Sequence, residues 1–172
     1  MRFVVISLLF NVYWFSAALG PPSFQWLMVA MLLGAILYDR SVMWAIAVLT
    51  PVGLIGDSLL LHTQWLAVDT EYVVMPLWLL LLWLGFCSFA WLMRELILAR
   101  AFWFMAALGS LGGASSYWAG ERLGVLSFPE SIWVTGAVLI GTWLVYSIIL
   151  INLMQWLQHQ LDVRSAATRR EP

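Results

Sequence analysis

The chain has 172 residues, of which 63% are hydrophobic and only 10% charged, with a formal net charge of −1. Soluble domains hold about 45–50% apolar residues, so this composition, with a mean hydropathy of +0.92, excludes an ordinary soluble domain and implies an integral membrane protein. The basic residues are all arginine and form no tract suited to nucleic acid, and the single Cys87 excludes an intrachain disulfide or a Cys-based zinc site.

Phe3 to Leu19 is the first apolar run, and its end, Ser16-Ala17-Ala18-Leu19-Gly20, has the small residues of a signal-peptide cleavage region. Asn11, Tyr13 and Trp14 interrupt the leucine-like core that a leader would carry, and Gly20-Pro21-Pro22-Ser23 reads as a tight turn into a second span. A retained first helix, residues 3–19, is therefore expected. Ser7, Asn11, Trp14 and Ala18 share one face of it. Asn11 then sits near mid-bilayer, as an interhelical hydrogen-bonding group or a ligand contact.

The second span, 24–38, closes at the charged turn Asp39-Arg40, so the second and third helices are expected as antiparallel neighbours. Within the third span, 41–61, Pro51, Gly53 and Gly56 permit a kink or a close helix approach. The same span carries Asp57. An acid in such a run costs roughly 2.5–3.5 kcal/mol on insertion scales at mid-bilayer, so Asp57 is expected to face the bundle interior and meet a partner. It lies roughly 24 Å along its helix, toward the outer interface.

His62, Asp69 and Glu71 follow in an outer loop, and the fourth span covers 73–93. Arg94, Glu95 and Arg100 at its inner end read as snorkelling interface residues. In the fifth span, 101–118 and its continuation, Gly109, Gly112, Gly113, Ser116 and Gly120 form a stripe against which another helix can pack backbone to backbone. Glu121, Arg122 and Glu130 occupy the next loop, the sixth span runs over 132–156, and 158–172 is a polar tail.

The pattern predicts an all-α polytopic protein, a six-helix transmembrane bundle over residues 1–157. Arg2, Arg40, Arg94, Arg100, Arg164, Arg169 and Arg170 would lie on one side and Arg122 alone on the other. By the positive-inside rule both termini are then cytoplasmic. No inverted repeat of three spans plus three is evident, because the Gly/Pro-interrupted third and fifth helices do not correspond in two such halves.

Few motifs carry chemistry. Tyr38-Asp39 and Gly56-Asp57 resemble the paired motifs of intramembrane aspartyl proteases, but Leu54 replaces a glycine and the two acids fall about 25 Å apart by helix rise. His62 and His159 lie at opposite faces, out of reach of Ser115 or Ser116 for nucleophilic catalysis. One histidine with Asp57, Asp69 and Glu71 is a weak metal-ligand pattern, and no phosphate loop, dinucleotide fingerprint or zincin helix is present, so neither metal nor cofactor is expected. What remains is a candidate polar cluster of Asp57, Tyr117, Glu121 and Arg122, with Asn11 deeper. The lone outer Arg122 is expected to pair with Asp57 or Glu121.

Asn11-x-x-Trp14, the Pro51 to Asp57 stretch, Pro76-Leu77-Trp78 and the segment Ser116-Tyr117-Trp118-Ala119-Gly120 to Leu123-Gly124 together resemble a bacterial family of small inner-membrane proteins known as a domain of unknown function. Where that family often carries Gly-Pro before the tyrosine, this chain has Gly112-Gly113-Ala114. The resemblance implies residence in a bacterial inner membrane and a link to membrane-lipid modification, without an assigned activity. Three classes of function stay open: a non-enzymatic component or partner in membrane-lipid or envelope metabolism, a lipid-processing enzyme using Asp57, Tyr117 or Glu121 as acid or base, and a small transporter subunit. Membrane lipids are the expected contacts, with a membrane-protein partner or a second copy of the chain docking on the glycine seam.

Overall fold

The computed structural model describes residues 1–19, 22–68 and 75–168. Its helices are α1 (Arg2–Leu19), α2 (Phe24–Tyr38), α3 (Val42–His62), α4 (Leu77–Leu92), a short α5 (Arg94–Leu98), α6 (Phe102–Arg122) and α7 (Ile132–Thr168). No strand occurs among the described residues beyond one isolated bridge between Ala67 and Ser127. Three helices, α1, α3 and α7, are long and apolar enough to cross a membrane. α2 and α4 are apolar but shorter, at 15 and 16 residues, and α6 is long but diluted by glycine and serine.

Three boundaries differ from the sequence reading. Arg94–Leu98 forms a separate helical turn, since the chain reorients at Met93 once the apolar run ends. α6 runs on through Glu121 and Arg122, which the sequence reading placed in a loop. α7 continues as helix from Gln158 through Thr168, because that stretch holds neither proline nor glycine to stop it. The expected turn at Gly20 and Pro21, the outer-loop acids Asp69 and Glu71, and Arg169 and Arg170 of the tail lie outside the described residues.

α6 packs along α7, α3 packs on both α4 and α7, and α1 packs on α4 and α2. Glycines set these contacts by acting as sockets for rings. A Cβ at Gly53 would collide with Trp83, at Gly56 with Tyr146, at Gly113 with Trp143, and at Gly85 with Tyr13. Each helix pair therefore approaches as closely as an aromatic ring on bare backbone allows, which maximises dispersion contact between the helices.

α3 and α6 correspond residue for residue. Both are 21 residues long. Gly53 receives Trp83 as Gly113 receives Trp143, and the two tryptophans stack at 5.5 Å and 10°. Both helices end in the same left-handed turn, with Gln64 at φ 59° and Gly124 at φ 73°. In each, a backbone N–H two residues beyond the C-cap bonds back, from Trp65 to the Leu60 carbonyl and from Val125 to the Gly120 carbonyl, both at 2.9 Å. Ala67 and Ser127 then exchange hydrogen bonds at 3.0 and 2.8 Å. The paired residues are separated by 60 positions throughout, as Asp57 and Tyr117 are. α3–α4 and α6–α7 are thus two copies of one helical hairpin, running in the same direction and lying face to face.

At the opposite end of the bundle, Arg94 ties three elements together. Its guanidinium meets Asp39 at 3.0 Å, the Gln158 side chain at 3.0 Å and the Trp91 carbonyl at 3.0 Å, and lies 4.7 Å over the Trp91 ring. Ser41 donates from both its backbone N–H (2.9 Å) and its hydroxyl (2.5 Å) to Asp39, and accepts from the Trp91 indole at 2.8 Å. Glu95, by contrast, pairs with Arg2 at 3.3 Å on the exposed surface. Adjacent charges read as equivalent surface groups are therefore split, one into a partly buried clasp and one into a solvated pair.

Two outcomes follow. Gly53→Leu and Gly113→Leu should each lower the thermal midpoint in detergent, by about 1–3 kcal/mol of overpacking, whereas Gly34→Ala, with open space at its Cβ, should not. Burial alone would raise the Asp39 carboxyl, but the Ser41 hydrogen bonds and the Arg94 guanidinium outweigh it and hold the group below its usual range. A carboxylate so lowered stabilises the fold above the unfolded value, and that contribution is lost as pH falls through the folded one. The stability gap between wild type and Asp39→Asn should accordingly be widest near neutrality and close below the usual carboxylate range of about 3.9.

Candidate functional site

Asp57 is fully enclosed, with 0% of its surface exposed. Its carboxylate accepts hydrogen bonds from the Tyr117 hydroxyl, 2.6 Å to each oxygen, and from the Trp83 indole N–H at 2.7 Å to Oδ2. The sequence places it there because Gly53, Gly56 and Asp57 lie on the face of α3 that turns inward, and the two glycines admit the rings around it. Aromatic rings complete the enclosure. Trp83, Trp143 and Tyr146 pack mutually, with ring centroids 5.5, 5.6 and 5.9 Å apart, and Trp143 meets Tyr117 at 6.1 Å. The Tyr146 hydroxyl and the Trp143 indole N–H are buried and have no hydrogen-bond partner among the described residues.

The predicted cluster comes together in part. Asp57 and Tyr117 meet directly; Arg122 does not join them. Of its two expected partners Arg122 meets Glu121, at 4.0 Å with its own side chain 81% exposed, and not Asp57, which has two neutral donors instead. The physical reason is depth: the Ala67–Ser127 bridge beyond their ends holds α3 and α6 at one level, so Tyr117 on α6 reaches Asp57, whereas Arg122 lies at the exposed end of α6. Asn11 stands apart as well. Its side-chain amide donates to the Ser7 carbonyl of its own helix at 2.8 Å.

Asn11 faces a lateral cleft of about 550 Å³ between α1, α4 and α6. Ser7 and Trp14 line it from α1, Gly112 and Ser116 from α6, and Trp83 and Tyr117 form its inner wall. Asp57 does not line it, but both of its hydrogen-bond donors do. α1 barely touches α6; the Trp14 indole bridges the gap by donating to the Ser116 hydroxyl at 2.8 Å.

The glycine seam divides between two roles. Gly109 and Gly113 lie against Ser147 and Trp143 of α7, and Gly120 lies at van der Waals distance from Leu126. Gly112 faces open space, and Ser116 faces α1. Sequence reasoning missed Trp83, Trp143 and Tyr146, which fall in long apolar runs among many tryptophans. The signal that would have found the first two is their common offset of 30 residues from Gly53 and Gly113. No three His, Cys, Asp or Glu side chains come together to hold a metal ion among the described residues.

Removing either side of the central pair should show its weight. Tyr117→Phe leaves Asp57 with one donor and should cost about 1–3 kcal/mol, read as a lower unfolding midpoint in detergent. Asp57→Asn keeps an acceptor for Tyr117 and should cost less than Asp57→Ala; a double-mutant cycle should give non-additive coupling between positions 57 and 117.

No curated protein and no solved structure matches the chain. The profile of one family, described as a protein of unknown function (DUF2878), matches residues 3–149, nearly the whole chain. The protein is a member of this family of unknown function, DUF2878.

Proposed function

We propose that this is an integral protein of a bacterial inner membrane, with six spans formed by α1, α2, α3, α4, α6 and α7 and both termini in the cytoplasm, acting as a non-enzymatic component of membrane-lipid metabolism. Alternating short connections and the segregation of arginine support that topology. α2 and α4, at 15 and 16 residues, are about 22–24 Å long. That is short of a hydrocarbon core of about 30 Å, so local thinning or tilted neighbours would accommodate them.

The observation that carries the functional reading is the lateral cleft backed by Tyr117 and Trp83. A cleft of this size is in the range of small-molecule sites, and it opens where a lipid could enter from the side. Asp57 itself does not line the cleft; its hydrogen bonds come from Tyr117 and Trp83, which do. Its role in this reading is positioning: it fixes the two aromatic side chains that form the inner wall.

A second reading, a lipid-processing enzyme, is favoured by one contact. Tyr117 both lines the cleft and donates to a buried carboxylate, an arrangement that can exchange a proton with a bound substrate. Lipid extracts separate the readings when taken from a deletion strain complemented with wild type, Asp57→Asn or Tyr117→Phe. For a component that holds lipid, deletion alters the profile, and each variant restores it in proportion to its folded amount. An enzyme loses restoration with Tyr117→Phe at normal folded amounts. Profiles unchanged on deletion would remove both. Reporter fusions should place both ends in the cytoplasm; opposite compartments would overturn the six-span arrangement.

A further inference from the structure

The two hairpins are alike in sequence offset and packing, yet the contacts they make with each other are not. α7 of the second hairpin lies against α3 of the first. There Tyr146 fills the socket at Gly56, close enough that a Cβ at Gly56 would overlap the phenol. Shifting each by the 60-residue offset gives the corresponding contact on the other side. Tyr146 becomes Phe86 on α4, and Gly56 becomes Ser116 on α6. Those two residues do not close on one another: both line the lateral cleft. The cleft is the open counterpart of a closed helix interface.

Resting on the lipid-holding reading above, we infer that this opening between α4 and α6 is a binding site for an uncharged lipid bearing a hydroxyl or carbonyl end. Two features of the wall select that chemistry. Among the described residues no charged side chain lines the cleft, and in a low-dielectric setting a charged headgroup carried inside without a counter-charge would be heavily penalised. The polar residues that do line it are neutral: the hydroxyl-bearing Ser7, Ser115, Ser116 and Tyr117, Asn11 with its amide, and Trp14 and Trp83 with their indoles. They form a short polar band in walls otherwise made of phenylalanine, leucine and tryptophan. The Trp143 ring belongs to the same wall, and its buried N–H has no acceptor among the described residues. A lipid oxygen placed at this band would hydrogen-bond where no water is at hand, while the chain lies along Phe10, Phe86 and Phe89. Entry is lateral, past the Trp14–Ser116 hydrogen bond, which is the link across the mouth.

The test uses the full chain in detergent, stripped of lipid, titrated with dibrominated oleyl alcohol or with phosphatidylglycerol carrying dibrominated acyl chains; bromine quenches the tryptophans it touches. Gly112→Leu fills the cleft from a position whose Cβ meets nothing, and leucine favours the helix. Gly141→Leu, equally open but outside the cleft, serves as its control, and circular dichroism with gel filtration confirms folding of each. The alcohol should bind at least about tenfold more tightly than phosphatidylglycerol, Gly112→Leu should weaken it by a similar factor, and Gly141→Leu should not. Should Gly112→Leu prove poorly folded, Asn11→Leu, which removes a polar group from the wall of α1, replaces it with the same expectation. Phosphatidylglycerol binding as tightly, and still blocked at Gly112, would overturn the uncharged ligand while leaving the lipid-holding reading intact. Quenching by neither probe, or quenching indifferent to both cleft variants, would overturn both.

Discussion

The hydrogen bond from Tyr117 to Asp57 is the contact on which the centre of this protein depends. A carboxylate in hydrocarbon must be sheltered and supplied with donors, and here both donors come from other helices, Tyr117 from α6 and Trp83 from α4. Neutral phenol and indole groups do what a basic side chain does elsewhere. One acid thereby fixes the relative depth of three helices, since a slip of a single residue in any of them would carry a donor out of reach. The ring stack of Trp83 on Trp143 adds a fourth helix to the same level.

That arrangement makes sense as the meeting of two like hairpins. In each, a glycine on the first helix receives a tryptophan from the second. The residue four places beyond that glycine is then turned toward the partner hairpin: Asp57 in one copy, Tyr117 in the other. With an acceptor at position 57 and a donor at position 117, the contact between the two hairpins is complementary. The pairing of Ala67 with Ser127 extends the same relationship into the loops.

Much of this could be read from the chain itself. The inward orientation of Asp57 follows from the cost of exposing an acid to lipid, and the shared face of Ser7, Asn11 and Trp14 follows from helical spacing; the structure sets that face along the cleft. The glycine stripe on α6 marked a close approach, though not that Gly109 and Gly113 would serve α7 while Gly112 and Ser116 served the opening. The correspondence of the two hairpins was hidden because few of their paired residues are identical. What repeats is socket and ring at a fixed spacing, and that becomes visible only when the neighbour of each glycine is known. For Arg122, charge balance without depth left Asp57 and Glu121 both open as partners; depth decides for Glu121, because the end of α6 carries the guanidinium out to the exposed surface.

The clasp around Arg94 and the backbone bridge at Ala67 and Ser127 sit at opposite ends of the bundle. The first fastens α7 to the turn that begins α3; the second fastens the loops in which α3 and α6 terminate. Together they make a spine along α3 and α7, pinned at top and bottom like the binding of a book. The fore-edge is looser: where α1 stands off α6, the Trp14–Ser116 hydrogen bond spans a cleft instead of a packed seam.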